Sequence, residues 1–202
     1  MIRIGLFRDP GFALINAVYV LMNLAAFSVL LIVPYFFHRF STMPLSLAGL
    51  VLASGSAAMA LTSPLAGRLI TRVAAEKVGA LGLLTVGGGL FLIGLWPPDI
   101  LPGTMALILA VQGVGVGLFQ VAYTDIVIRS SPLADRGVAG SLSILTRTMG
   151  TVTGAALLML IFVANGGLES ATFLSAFATV FKIAGLAVAA AAILVPWWRP
   201  AR

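Results

Sequence analysis

Residues 11–37 read GFALINAVYVLMNLAAFSVLLIVPYFF, a run without a single Lys, Arg, Asp, Glu or His. As a helix it would extend about 40 Å, past the roughly 30 Å of a bilayer's hydrocarbon core. Backbone groups in lipid must be paired within the segment or in a closed barrel, and a continuous apolar run lacks the alternation of a barrel strand. A transmembrane helix is therefore expected. Five further stretches are as long or nearly so and mostly apolar: 46–69, 78–96, 103–128, 138–164 and 172–198. Breakers separate the six, among them His38 to Pro44 after the first, Pro97-Pro98-Asp99 after the third and Asn165-Gly166-Gly167 after the fifth. The expected fold class is all-α: a polytopic membrane protein with six transmembrane helices forming one domain over 1–202.

Composition supports lipid as the main solvent. Of 202 residues 60% are hydrophobic and 9% charged, and mean hydropathy is +1.12. A soluble domain carries about a quarter charged residues. The formal charge of +6 comes from cations scattered between apolar blocks, so no nucleic-acid surface is expected. Arg3, Arg8 and Asp9 interrupt the N-terminus, which lacks a signal-peptide pattern, so the first span is expected to be retained. With one His, no Cys and no clustered carboxylates, neither a metal site nor an intramembrane hydrolase is expected. Gly87-Gly88-Gly89 lies inside an apolar span and does not make a phosphate loop. The chain reads as a non-enzyme without a cofactor.

Basic residues set the orientation. Arg3, Arg8, Arg68, Arg72, Lys77, Arg129, Arg136, Arg199 and Arg202 fall on one side, and Arg39 alone on the other. That bias places both termini in the cytoplasm. Trp96 is expected at one membrane interface, Trp197 and Trp198 at the other.

Gly67-Arg68-Leu69-Ile70-Thr71-Arg72, preceded by Ser63-Pro64-Leu65-Ala66, resembles the degenerate second copy of the loop motif of the major facilitator superfamily. It departs from the fuller form at Thr71, where an aspartate is common, and at Ala74, where a glycine is expected. Gly113, Gly115 and Gly117, then Pro132, Arg136-Gly137-Val138-Ala139-Gly140 and Arg147-Thr148-Met149-Gly150, look like the late part of the same superfamily. Leu6-Phe7-Arg8-Asp9-Pro10-Gly11-Phe12 is similar to the segment opening the C-terminal half of fourteen-span drug:proton antiporters.

The resemblance implies one facilitator-type bundle of two inverted three-helix units, in a cell membrane such as the bacterial inner membrane. Two such halves enclose a central site. A parallel homodimer, a separately encoded half or a longer gene would each supply the second. The resemblance further implies that the first and fourth spans line the cavity, the second and fifth meet the other half, and the third and sixth face lipid.

Helical periodicity puts Asn16, Tyr19, Asn23 and Phe27 within one arc of the first span. Gln112, Phe119 and Tyr123 share an arc of the fourth, with Gln120 displaced around the helix. Amides and rings on apolar helices suit a cavity for small amphipathic molecules; interhelical hydrogen bonding is the plainer alternative. Gly150 and Gly154 form a small-residue face on the fifth span, and Ala53 and Ala57 another on the second, for packing within the bundle or against a second copy.

Three positions bear charge within or near the hydrocarbon: Asp125, Arg147 and Lys182. Each is costly in lipid and is a functional candidate on that ground. Asp125 is the candidate for reversible protonation or for an ion pair with Arg129 or Arg147. Arg147 is a tether or an anion contact, and Lys182 turns inward or snorkels. The expected activity is a transporter half moving drugs or other small amphiphiles, in exchange for protons; the alternative is a half-bundle that transports nothing without a partner.

Overall fold

The computed structural model describes residues 10–130, 136–169 and 171–195. Within them lie six α-helices: α1 (Pro10–Phe40), α2 (Leu45–Leu69), α3 (Ala75–Ile93), α4 (Pro102–Ser130), α5 (Arg136–Ala164) and α6 (Phe173–Ala191). All six are long and apolar enough to cross a membrane. α1 and α2 run through Pro34 and Pro64.

The ends depart from the sequence expectation where local chemistry intervenes. Pro10 opens α1, a position where its missing N–H costs nothing. α3 begins three residues early and stops at Ile93. There Leu95 N–H donates to Leu92 O and Trp96 N–H to Ile93 O, a tightening that precedes Pro97. α5 ends where Gly166 takes φ 74°, with Gly167 N–H donating to Phe162 O at 2.9 Å. α6 stops at Ala191, short of the expected 198. Trp197, Trp198, Pro132, the basic residues Arg3, Arg8, Arg199 and Arg202, and most of the Leu6-to-Phe12 segment lie outside the described residues.

Glycines decide which helices touch. A Cβ on Gly113 would sit 2.0 Å from Gly55 O, so α2 and α4 meet backbone to backbone. Gly87 and Gly185 bring α3 against α6 in the same way: a Cβ on either would stand 2.6 Å from the other's carbonyl oxygen. Gly82 and Gly115 bind α3 to α4. Gly150 and Gly154 receive α1 at Val20 and Leu24, so this small-residue face of α5 packs inside the bundle. In lipid, where apolar surface gains nothing from leaving water, such approach supplies much of the adhesion between helices. The pairs α2/α4 and α1/α5 each run parallel, and exchanging α1–α3 with α4–α6 maps one pair onto the other, as inverted units require.

The end away from most of the cations is an aromatic core. Phe36 stands 5.5 Å from Trp96 and 5.0 Å from Phe177, and Arg39 lies over the Phe173 ring at 4.9 Å. Trp96 is only 5% exposed, so it packs inward rather than presenting its ring as an interface anchor; its Nε1 is buried without a hydrogen-bond partner.

α2 and α5 are the least covered helices. Only 17% and 22% of their apolar stretches are buried, against 39–50% for the other four. Ala53, Ala57, Leu50, Leu61 and Leu65 on α2, and Ile144, Met149, Val152 and Leu160 on α5, are exposed.

Replacing Gly113 by Ala should lower stability by about 1–3 kcal/mol, the usual cost of overpacking. Gly88→Ala, whose Cβ meets nothing within 4 Å, should be neutral or stabilising. Thermal unfolding of the two variants in detergent checks the contrast.

Candidate functional site

A cavity of about 370 Å³ opens between α1, α2, α4 and α5. Asn23, Phe27 and Leu30 line it from α1, Gly55, Ser56 and Met59 from α2, Gln112, Gly113, Val116 and Gln120 from α4, and Arg147 and Thr151 from α5. The glycine contact of α2 with α4 forms one wall, and that of α5 with α1 sets the opposite one.

The eight side chains marked by periodicity divide into two groups. Asn23, Phe27, Gln112 and Gln120 face the cavity. Asn16, Tyr19, Phe119 and Tyr123 do not line it; they are buried where α1, α4 and α5 meet. Tyr123 OH donates to Asn16 Oδ1 at 2.9 Å, and Ser143 Oγ lies 3.3 Å from the same hydroxyl. Thr146 Oγ1 donates to Asn16 Oδ1 at 3.3 Å, and Asn16 Nδ2 to Phe12 O at 2.7 Å. The Tyr19 and Tyr123 rings stack with centroids 3.7 Å apart, beside Phe119. This cluster joins three helices by satisfied hydrogen bonds, so its polarity is spent within the bundle.

The cavity group differs. Gln112 is 6% exposed, yet its amide has no hydrogen-bond partner among the described residues. The same holds for the Gln120 amide and the Arg147 guanidinium. Asn23 Nδ2 is used, donating to Tyr19 O at 2.8 Å. Among the described residues, Arg147 is the only charged one of the lining.

Asp125 lies on α4 away from the cavity. Its Oδ1 accepts from Arg129 Nε at 2.9 Å, one helical turn on, and its Oδ2 is buried without a partner among the described residues. Lys182 is half-buried on α6, with no ion pair among the described residues. Of the loop motif, Arg68 is exposed in the last turn of α2 and Arg72 just beyond it, Gly67 is open to substitution, and Thr71 Oγ1 donates to Arg68 O at 2.7 Å.

Six apolar helices in inverted threes around an amide-lined cavity are the architecture the resemblance implies. Residues 14–202 match the sequence profile of the Major Facilitator Superfamily. The chain belongs to that superfamily. It is 32% identical over 162 residues to the uncharacterized transporter YebQ of Escherichia coli, covering 79% of this chain and 35% of that protein. It is 28% identical over 158 residues to the multidrug resistance protein Stp of Mycobacterium tuberculosis, covering 78% of this chain and 29% of Stp. A triacylglyceride transporter of Mycolicibacterium hassiacum is 35% identical over 104 residues, which are 46% of this chain and 19% of that protein. The chain thus spans about a third or less of these relatives. Facilitator membership points to a membrane transporter rather than an enzyme.

Ser56, Met59 and Thr151 were not marked by the sequence. Ser56 belongs to a helix that reads as packing surface only, while Thr151 stands four residues after Arg147 and so shares its face, a signal that was legible.

Tyr123→Phe should cost about 0.6–1.7 kcal/mol, the range for hydrogen bonds between membrane helices. Gln112→Met, close to it in volume, should be neutral or stabilising, because an unbonded amide is removed and no protein group loses a partner. Equilibrium unfolding in mixed detergent micelles compares them.

Proposed function

We propose that this bundle is one half of a secondary active transporter that moves small amphipathic molecules across a cell membrane, the bacterial inner membrane, with both termini on the cytoplasmic side. One observation carries the reading: the cavity has two side-chain amides, Gln112 and Gln120, without partners among the described residues, set among apolar walls. Polar atoms left bare in such a place are available to a ligand, and a site of 370 Å³ is of the size that takes small molecules.

The cavity is bounded by α2 and α5, the two helices with the largest uncovered faces. A second six-helix half seated on those faces would enclose it, and a parallel copy of this chain or another half of the same type has the required orientation. The relatives named for multidrug resistance and for triacylglyceride transport support amphiphiles as the substrate class. For coupling, Asp125 is the proposed proton carrier: one oxygen is tied to Arg129, and the buried, unpartnered Oδ2 offers a place for a proton.

Proteoliposomes containing the purified chain should accumulate lipophilic dyes, drawn from a panel of positive, neutral and negative charge, when a proton gradient is imposed. Asp125→Asn should abolish the gradient dependence and leave downhill dye exchange. Absence of flux under any gradient would make the bundle inert without a different half.

A further inference from the structure

We propose that the cavity selects amphiphiles by their charge: it takes molecules with an oxyanion head group on an apolar body, gripped by Arg147 and oriented by the amides of Gln112 and Gln120. The inference rests on the transporter reading above and adds the substrate's chemical class.

Arg147 lies 11 residues into α5, about 16 Å along the helix, well inside the span. A guanidinium at that depth carries a large desolvation penalty unless something offsets it. No carboxylate of the described residues does so. Asp125 is engaged with Arg129 and does not line the cavity, and no acidic side chain is part of the lining. The cavity therefore holds one uncompensated positive charge, which disfavours a cationic ligand and favours an anionic one; the low dielectric of the span enlarges both effects.

The donor set narrows the class further. Guanidinium has donors only, in a planar fork that matches the two oxygens of a carboxylate, sulfonate or phosphate. Gln112 supplies a bare amide NH₂ from a nearly buried position on α4, and Gln120 a second two turns further along that helix. Phe27, Leu30 and Val116 offer apolar contact for the rest of the molecule. A volume of about 370 Å³ is near the lower end for ligand sites and fits a single-chain or compact amphiphile better than a two-chain lipid.

The test uses the full chain in phosphatidylcholine nanodiscs, labelled with three photoreactive probes that share one C12 diazirine chain and end in a carboxylate, a trimethylammonium or a hydroxyl. Labelling is read by mass spectrometry on the α1, α4 and α5 peptides that line the cavity. The wild-type chain should favour the carboxylate over the ammonium by about tenfold or more. Arg147→Gln should remove that preference while keeping hydroxyl labelling, which also shows that the bundle is folded. Arg147→Lys should keep the sign of the preference and reduce its size.

Adding phosphatidylglycerol to the discs identifies the source of the anion. Displacement of the carboxylate probe means that a bilayer lipid occupies the same oxyanion site, and no displacement means that the site takes single-chain molecules alone. Equal labelling by carboxylate and ammonium probes in the wild type, or a preference that survives Arg147→Gln, overturns the proposal and leaves the transporter reading standing. Failure of every probe, the hydroxyl included, to label the lining peptides overturns both.

Discussion

Everything in this bundle depends on helix backbones touching where glycine stands at the crossing. Between apolar helices in lipid, burial of one greasy surface against another yields little, because lipid tails are as apolar as the partner helix. Contact must come from van der Waals fit, and fit is closest where a Cβ is missing. Gly55 against Gly113 sets α2 on α4, Gly87 against Gly185 sets α3 on α6, and Gly150 with Gly154 seats α5 on α1. Together these crossings leave a space between α1, α2, α4 and α5, so the cavity follows from where close approach occurs and where it does not.

Within that frame, polar groups are sorted by whether the bundle has satisfied them. Asn16, Tyr123, Ser143 and Thr146 form a local cluster linking three helices. Gln112, Gln120 and Arg147 are left unbonded around the cavity, although side chains of the same types in the same kind of helix could have paired. In a medium without water to satisfy them, such groups await a ligand or a second protein surface. Asp125 stands between these cases, with one oxygen paired and one bare.

The uncovered faces of α2 and α5 belong to the same logic. A helix adhering through glycine on one side only keeps its other side free, and in both helices the free side is mostly Leu, Ile, Val and Ala, with Arg68 exposed at the end of α2 and Arg147 exposed within α5. Such a face suits either lipid or another bundle. α3 and α6, by contrast, are fixed against each other and hold the rear of the structure together, with the aromatic cluster of Phe36, Trp96 and Phe177 closing one end.

The sequence by itself determined the solvent, the number of spans and the family. Long apolar runs admit one backbone solution in lipid, and the glycine and arginine spacings of residues 63–72 and 113–150 carry the resemblance. It also placed Asn23, Phe27 and Gln112 on arcs that reach the cavity, and Gln120, displaced from the arc of the fourth span, reaches it as well. Only the tertiary structure decided that Asn16, Tyr19, Phe119 and Tyr123, on those same arcs, are packed away. It likewise turned Trp96 inward, gave Gly150 and Gly154 to α1, and brought Arg147 alongside two bare amides. Periodicity fixes a side chain's angle around its own helix; what stands opposite depends on how closely another helix approaches at that height, and that distance is set by residues far away in the chain.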